Sequence, residues 1–437
     1  MLKKQSKELL APAGDFEKMK YAFAYGADAV YLGIPDFSLR VRINSFTLDQ
    51  VREAIEYAHA MEKKIYVTAN IYAHNEHIKQ LPAYLKKLNQ WKPDGLIVSD
   101  PGVIQMVKQY APNISIHLST QANATNWQAV KFWYEQGVSR VILGREVTLK
   151  EIKEIHKRVP KCELEYFVHG AMCMSYSGRC MLSAWLTGRS ANLGDCAQPC
   201  RWKYNIDTPS VSAETAPPMR GSKRVGFGDV LAVEVEEPNR PGMKIPVEED
   251  MHGTYIFNSK DLCLIEHIPE LIDAGITSFK IEGRAKSVAY LSSVIKAYRQ
   301  AVDGISDKKK LKLIKKQYLE NLIHRGYTAG FLFGRDTVEQ NTENSHVGGE
   351  EQFVGQVLAC EKEKKIFKIT FKPHNTVVVG DKIHILQPDA KDLQITIQNI
   401  YTVHGQTVDS CHGGANGTYI FELKKEVKPF SILFKKK

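Results

Sequence analysis

Long hydrophobic runs are missing from this 437-residue chain. No stretch approaches the ~18 consecutive apolar residues of a membrane span, so no membrane role is expected. The opening residues, MLKKQSKELLAPAGDFEK, carry two early lysines but no apolar segment of signal-peptide length. A cytoplasmic location is therefore expected. Familiar catalytic signatures are missing too. The nearest approach to H-E-x-x-H is His74-Asn75-Glu76-His77, which cannot place two imidazoles as a zinc-protease helix does. There is no G-x-S-x-G nucleophile elbow and no phosphate-binding Walker A loop. No G-x-G-x-x-G follows the first apolar run, which removes an argument for a doubly wound dinucleotide fold. Nor does one sign of charge dominate: 59 Lys+Arg against 49 Asp+Glu leaves +10, with 43% hydrophobic residues, which excludes intrinsic disorder.

What charge excess there is concentrates locally. Lys308, Lys309, Lys310, Lys312, Lys315 and Lys316 crowd one segment, and Lys435, Lys436 and Lys437 close the chain. Such a stretch suits phosphate contacts of RNA; it also suits a plain solvated face.

Cysteine is sparse but unevenly spread. Of eight, Cys173, Cys180, Cys196 and Cys200 fall together, while Cys162, Cys263, Cys360 and Cys411 stand alone. A cytoplasmic chain does not normally use them as disulfides, so the crowding points to a metal centre. The solitary four read as small buried apolar residues.

Short β-rich runs alternate with amphipathic stretches from residue 8 to 283. The runs are ELLAP (8–12), AVYLGI (29–34), KIYVTANI (64–71), GLIVSD (95–100), SIHLST (115–120), RVILGR (140–145), ELEYFVHG (163–170) and ITSFKIEG (276–283). Eight runs apolar on both faces, with helices such as 49–63 between them, predict a (β/α)8 TIM-like barrel. An open doubly wound sheet is the alternative. The catalytic barrel is expected over 1–340, interrupted by a cysteine-rich insertion at 171–258. Within that insertion the Pro-rich segment 208–224 reads as mobile. Helices are expected at 259–275, stopped by Gly275, at 287–304, and, basic and amphipathic, at 307–326. From 350 to 437, closely spaced short strands predict a C-terminal all-β barrel, either an RNA-contacting or a docking module.

The four clustered cysteines have the spacing C-x6-C-x15-C-x3-C, and Cys173 follows the seventh strand at the end where barrel active sites form. Structural zinc prefers tighter pairs, whereas an iron–sulfur cluster takes four cysteines at looser spacing. The cluster is the favoured reading and zinc the alternative. Asn70, Asp100, Ser119, Gln121, Arg145, His169, Lys280, Glu282 and Arg284 fall at or just after strand ends, so they are expected to ring one mouth. Strand alternation over 280–284 puts Lys280, Glu282 and Arg284 on one face, where the two cations could clamp an anionic ligand and Glu282 orient them. A salt-bridge network at the rim is the competing reading. His169 is a candidate proton carrier, or a hydrogen-bonded bystander.

EYFVHGAMCMSYSGRC (165–180), with ELLAPAG, GADAVYLG, CAQPCRWKY, NSKDL and KIEGR, resembles the signature of the collagenase-like peptidase family U32. The β-rich tail is similar to the branch of tRNA 5-hydroxyuridine modification proteins. That resemblance implies oxygen-independent hydroxylation of the tRNA wobble uridine, a [4Fe–4S] cluster on Cys173, Cys180, Cys196 and Cys200, and prephenate as a carboxylate co-substrate. It implies the tRNA anticodon arm as partner and allows a protein partner of the same family. His169, Lys280, Glu282 and Arg284 become the catalytic candidates, and Asn70, Gln121, Arg145 and Arg179 the substrate-binding ones. The family name carries the alternative, a peptidase working through a nucleophile and base near Cys173.

Overall fold

The computed structural model describes residues 7–38, 46–172, 180–187, 189, 196–197, 225–227, 230–236, 244–250, 253–255, 259–334, 347–414 and 417–437. Seven of the eight expected barrel strands come first: β1 (Glu8–Pro12), β2 (Ala29–Leu32), β3 (Lys64–Ala69), β4 (Gly95–Val98), β5 (Ile116–Leu118), β6 (Arg140–Ile142) and β7 (Glu163–Gly170). Within the insertion, β8 (Val225–Phe227), β9 (Val230–Glu236), β10 (Lys244–Asp250) and β11 (Gly253–Tyr255) pair antiparallel. After β12 (Asp261–Cys263), β13 (Ile276–Ile281) pairs in parallel with both β1 and β7 and closes an eight-stranded barrel. The short strands are buried almost throughout, because helices cover them outside and side chains fill the inside.

Local signals position the helices. Between the strands run α1 (Phe16–Ala24), α2 (Leu48–Ala60), α3 (Asn75–Trp91), α4 (Pro101–Tyr110), α5 (Trp127–Glu135) and α6 (Leu149–Arg158). Thr47 and Thr148 open α2 and α6 with capping boxes, and Asp100 caps α4 by accepting from the Val103 N–H at 3.0 Å. Asp100 is thus spent on its helix rather than offered to the mouth. After α7 (Leu182–Thr187) come α8 (Ile268–Asp273), α9 (Val288–Val302) and α10 (Lys308–Tyr318). Gly275 follows α8 with φ +97°, and a Cβ there would meet the His156 ring at 2.2 Å, so only glycine fits this stop.

Two helical expectations are corrected. In 259–275 the first residues are β12, which pairs antiparallel with His169 and Gly170 at the end of β7. That eight-residue strand outlasts its neighbours and takes β12 as partner for its last backbone groups. The helix expected to 326 ends at Tyr318, because the chain turns to form β14 (Tyr327–Thr328) beside β12. Tertiary pairing outweighs helix propensity in both places. Segment 208–224 lies outside the described residues, and the insertion beyond it contains the strands β8 and β9. Among the described residues, no helix is long and apolar enough to cross a membrane.

The C-terminal domain is all-β and antiparallel. Its strands are β15 (Glu351–Glu363), β16 (Ile366–Pro373), β17 (Val377–Val378), β18 (Lys382–Leu386), β19 (Leu393–Thr396), β20 (Ile400–Thr402), β21 (Thr407–Val408), β22 (Ser410–Cys411), β23 (Tyr419–Leu423) and β24 (Ile432–Lys436). Eight of them form one sheet in the order β19-β18-β24-β15-β16-β23-β20-β21, a half-barrel whose two edge strands do not meet among the described residues. Val354, Ile369, Phe371 and Phe421 centre its own core, whereas Leu386, Ile432 and Phe434 pack into the core of the barrel.

Polar contacts fasten the same interface. The Tyr25 hydroxyl donates to the Leu386 carbonyl at 2.8 Å, and the Lys296 ammonium donates to Gln387 O at 2.5 Å and to the Asp392 carboxylate at 2.7 Å. His384 lies 3.1 Å from the Glu351 carboxylate. Burial opposes its charge, but hydrogen bonds to Asp392 and Glu351 win and hold its pKa up at about 9. The folded value exceeds the ordinary 6.5, so this stabilisation is complete below that pH and fades as pH rises through about 9. Between about pH 6 and pH 9.5, the wild-type Tm is expected to fall more steeply than that of His384→Gln. Equal slopes would show that His384 does not contribute.

Candidate functional site

The carboxyl ends of the barrel strands form the mouth. On β7, alternate residues face inward, so Glu165 and Phe167 line the interior. The Arg145 guanidinium, after β6, lies 3.7 Å from the Phe167 ring centroid and pairs with the Glu282 carboxylate. Gly170, at φ +125°, permits this approach: a Cβ there would come within 2.7 Å of the Glu282 Cβ. Across the mouth, the Tyr31 ring is flanked by two cations, Lys280 Nζ at 4.3 Å and the Arg284 guanidinium at 4.9 Å. The Tyr31 hydroxyl donates to Ile281 O at 3.0 Å, and Arg284 donates to Ser38 Oγ at 3.1 Å. Strand β13 ends at Ile281, so 280–284 is not one continuous strand face. Lys280 and Arg284 do share a ring, but Glu282 turns instead to Arg145.

On the opposite arc lie the uncharged side chains of Asn70, Ser99, Ser119 and Gln121. The Asn70 amide donates to Ser119 Oγ and to Gln121 Oε1, both at 3.2 Å, and Ser99 Oγ donates to Asn70 O at 3.2 Å. Ser119 also donates to Gln121 in a very short contact. Expected substrate-binding residues Asn70 and Gln121 are thus brought together, on loops from β3 and β5, which lie either side of β4. A mouth with carboxamides on one arc and cation–aromatic pairs on the other can read a polar ring edge and hold an anion at once.

Lys280 sits deeper than a clamp would. It is 4% exposed, and its ammonium donates to Glu165 Oε1 at 2.6 Å. Burial pushes its pKa down, against the Glu165 carboxylate that supports the charge. Beneath it, Arg140 donates to Glu8 at 2.6 Å and to Glu165 at 3.3 Å, and the Tyr66 hydroxyl donates to Glu8 at 2.5 Å. The salt-bridge reading of this region therefore describes Lys280 well.

His169 does not face the mouth. The β7–β13 register slips between Lys280 and Ile281, so Phe167 and then His169 are the successive partners, and Val168 is the extra residue. A bulge of this kind reverses the side-chain alternation. The imidazole therefore turns outward onto α9 and β14, with the Tyr290, Tyr298 and Tyr327 rings at 5.9, 5.4 and 5.6 Å. Burial depresses its pKa to about 3, so it stays neutral.

Of the cysteine set, Cys180 and Cys196 are described and half-buried, whereas Cys173, Cys200 and Arg179 lie outside the described residues. The Ser183 hydroxyl, three residues after Cys180, accepts from the Ala197 N–H at 2.9 Å and donates to Arg189 O at 2.7 Å. That buried serine ties the segment after Cys180 to the segment holding Cys196. Among the described residues, no three His, Cys, Asp or Glu side chains converge as a metal site. Cys162, Cys263 and Cys411 are buried, as expected of bystanders, while Cys360 is only half-buried. Burial raises the Cys162 thiol to about 12 and the Cys411 thiol to about 11, so both stay protonated and inert.

The sequence reading missed Tyr31, Phe167 and Glu165. The signal for the last two was present: alternation counted inward along ELEYFVHG gives 165 and 167. Tyr31 carried no comparable mark.

Residues 14–342 match the model of peptidase family U32, and residues 350–433 match that of the peptidase family U32 C-terminal domain. The tRNA hydroxylation protein P of Escherichia coli is 42% identical over 420 residues, 93% of this chain and 91% of that protein. The 23S rRNA 5-hydroxycytidine C2501 synthase of Escherichia coli is 33% identical over 302 residues, 69% of this chain and 40% of that protein. A collagenase of Porphyromonas gingivalis is 26% identical over 446 residues, 98% of this chain and 97% of that protein. Both domains match their family models, and the chain belongs to peptidase family U32.

Proposed function

We propose that this protein is an RNA-modifying hydroxylase that converts the tRNA wobble uridine to 5-hydroxyuridine without oxygen. The observation that carries this reading is the 42% identity, across both domains, to a protein named for tRNA hydroxylation. The divided mouth supports it. Carboxamides of Asn70 and Gln121 suit the carbonyl and N–H edge of a uracil that has left its stack. Arg145 and Arg284 suit the carboxylates of a prephenate-like co-substrate, with the Phe167 and Tyr31 faces against its ring. On α10, Lys308 and Lys315 are tied to Glu270 at 3.2 Å and Glu266 at 2.8 Å. Lys309, Lys310, Lys312 and Lys316 face solvent and suit the phosphates of the anticodon arm.

Cys173, Cys180, Cys196 and Cys200 would hold a [4Fe–4S] cluster. The donor set fits: four sulfur ligands, two of them on segments that Ser183 joins. Bound there, the cluster would supply electron transfer or Lewis acidity. The protein's own part is to exclude water from the mouth and to hold base and carboxylate against each other.

The peptidase reading rests on the family name and the collagenase relative. It needs a base beside Cys173, and His169 faces α9 among three tyrosines instead. Anaerobic purification with a visible spectrum and iron and sulfide assays tests the cofactor. A brown protein with both elements is expected, and a colourless one carrying a single zinc would sink the cluster. Mass analysis of tRNA nucleosides from a strain lacking this gene and its paralogues tests the substrate. Loss of 5-hydroxyuridine derivatives is expected, and unchanged levels would overturn the assignment.

A further inference from the structure

The barrel interior holds charge where such barrels are usually filled by branched apolar side chains. Glu8, Arg140, Glu165 and Lys280 are buried there, with Tyr66 and Ser278 between them. Apolar side chains in place of a buried ion pair are often as stable or more so, which makes stability alone a weak reason for these charges. Their arrangement gives another. Below the mouth, the Lys280 ammonium donates to Glu165 Oε1 at 2.6 Å. The Ser278 hydroxyl lies 3.3 Å from Glu165 Oε2 and 2.9 Å from Glu8 Oε1. Glu8 Oε2 in turn meets the Lys64 ammonium at 3.4 Å. Lys64 opens β3 at the amino end of the barrel, opposite the mouth, and its side chain is 51% exposed. A chain of titratable groups and one hydroxyl thus runs through the barrel to solvent on the far side.

Its upper end touches the mouth. The Lys280 ammonium lies 4.3 Å from the Tyr31 ring and 5.6 Å from the Phe167 ring, the same rings that Arg284 and Arg145 flank. Glu165 takes one of its three N–H donors, and among the described residues no other acceptor bonds the ammonium. Burial lowers the Lys280 pKa, so this ammonium gives up a proton more readily than an ordinary lysine. Ser278 is the neutral link. Its single proton serves one carboxylate at a time. When Glu165 gains a proton, the hydroxyl can accept from it and donate its own to Glu8, with no change in charge. Arg140 donates to Glu8 at 2.6 Å and to Glu165 at 3.3 Å, which fixes both carboxylates; a guanidinium does not itself give up a proton. His117 touches the Tyr66 ring at 4.6 Å, and burial with the surrounding cations keeps it neutral, so it does not trap the proton.

We propose that this chain is a proton path from the mouth to the opposite end of the barrel, with Ser278 as its relay. The inference rests on the hydroxylase reading above. Hydroxylation at C5 is completed when the C5–H bond of the adduct breaks: its electron pair restores the C5–C6 double bond, and its proton must leave. RNA seated on the mouth shuts out water on that side. Lys280 passes a proton to Glu165 and accepts the one released in the mouth. Ser278 and Glu8 carry a proton on to Lys64, which exchanges with water, and every group regains its starting charge. The test is single-turnover hydroxylation of tRNA by the full-length protein in H2O and in D2O. Ser278→Ala is expected to bind tRNA as wild type does but to react about ten-fold more slowly, with a larger H2O/D2O rate ratio. Ser278→Thr restores the hydroxyl and is expected to recover the rate. Lys64→Met alters an exposed residue at the far end from the RNA, and the same slowing with unchanged Tm is expected. If Ser278→Ala does not fold, Lys64→Met decides alone. Wild-type rates in the folded variants would overturn the path while the hydroxylase reading stands. Slowing that threonine does not recover and D2O does not deepen would make Ser278 a packing residue, and overturn the path as well. A wild-type protein that hydroxylates no tRNA would overturn both readings.

Discussion

Cys196→Ala is expected to strip the protein of iron and sulfide and to reduce tRNA hydroxylation to background. A four-cysteine cluster does not readily replace a lost thiolate with water, and among the described residues no group of three His, Cys, Asp or Glu side chains gathers as an alternative site. Cys263→Ala is the matched control. That thiol is buried beneath Tyr298, whose hydroxyl lies 3.7 Å away, and burial raises its pKa, so its removal should leave iron content unchanged. Ser183→Ala separates the proposed ligand Cys196 from its support. It deletes the hydroxyl that holds Ala197 N–H at 2.9 Å, and partial iron retention with a ~10–100-fold lower activity is expected. Full iron occupancy in Cys196→Ala would remove this cysteine from the ligand set. Equal iron loss in Cys263→Ala would point to general instability instead.

The barrel was legible because its strands are written in one code. Every run from ELLAP to ITSFKIEG is apolar on both faces, and that pattern has few structural solutions once helices alternate with it. Element ends were less legible, since they depend on pairing across the fold. β12 exists because β7 runs on past the barrel and needs a partner, and no property of the segment SKDLC announces this. The mouth was half legible. Asn70, Gln121, Arg145 and Arg284 could be placed by counting to strand ends, because the fold fixes where those ends lie. His169 could not. One slipped register between β7 and β13 decides whether it faces substrate or helix, and register is a property of two strands rather than one. Lys280 failed in depth rather than direction: it faces inward, but far enough down to meet Glu165.

Glu165→Ala is the substitution with the largest expected effect on stability. Glu165 is fully buried and contacts Lys280 at 2.6 Å, Arg140 at 3.3 Å and the Ser278 hydroxyl at 3.3 Å. Within the barrel, Glu8 and Glu165 balance Arg140 and Lys280, with Glu163 touching Arg140 from the half-exposed edge at 2.7 Å. Removing Glu165 leaves Lys280 as a buried cation with no carboxylate partner among the described residues, set against the faces of Tyr31 and Phe167. Breaking a buried pair in this way costs about 3–5 kcal/mol, and a drop of roughly 10 °C in Tm is expected. Glu165→Leu combined with Lys280→Met removes both charges, keeps the Arg140–Glu8 pair and fills the space. Most of the lost stability should return, because the cost lies in the stranded charge rather than in the missing contact. If the double variant is no more stable than Glu165→Ala, the carboxylate serves Arg140 and not Lys280. The same double variant divides architecture from chemistry. A stable protein that still hydroxylates tRNA makes Lys280 part of the barrel's internal support. A stable but inactive one gives its ammonium a role in the reaction beneath the Tyr31 ring.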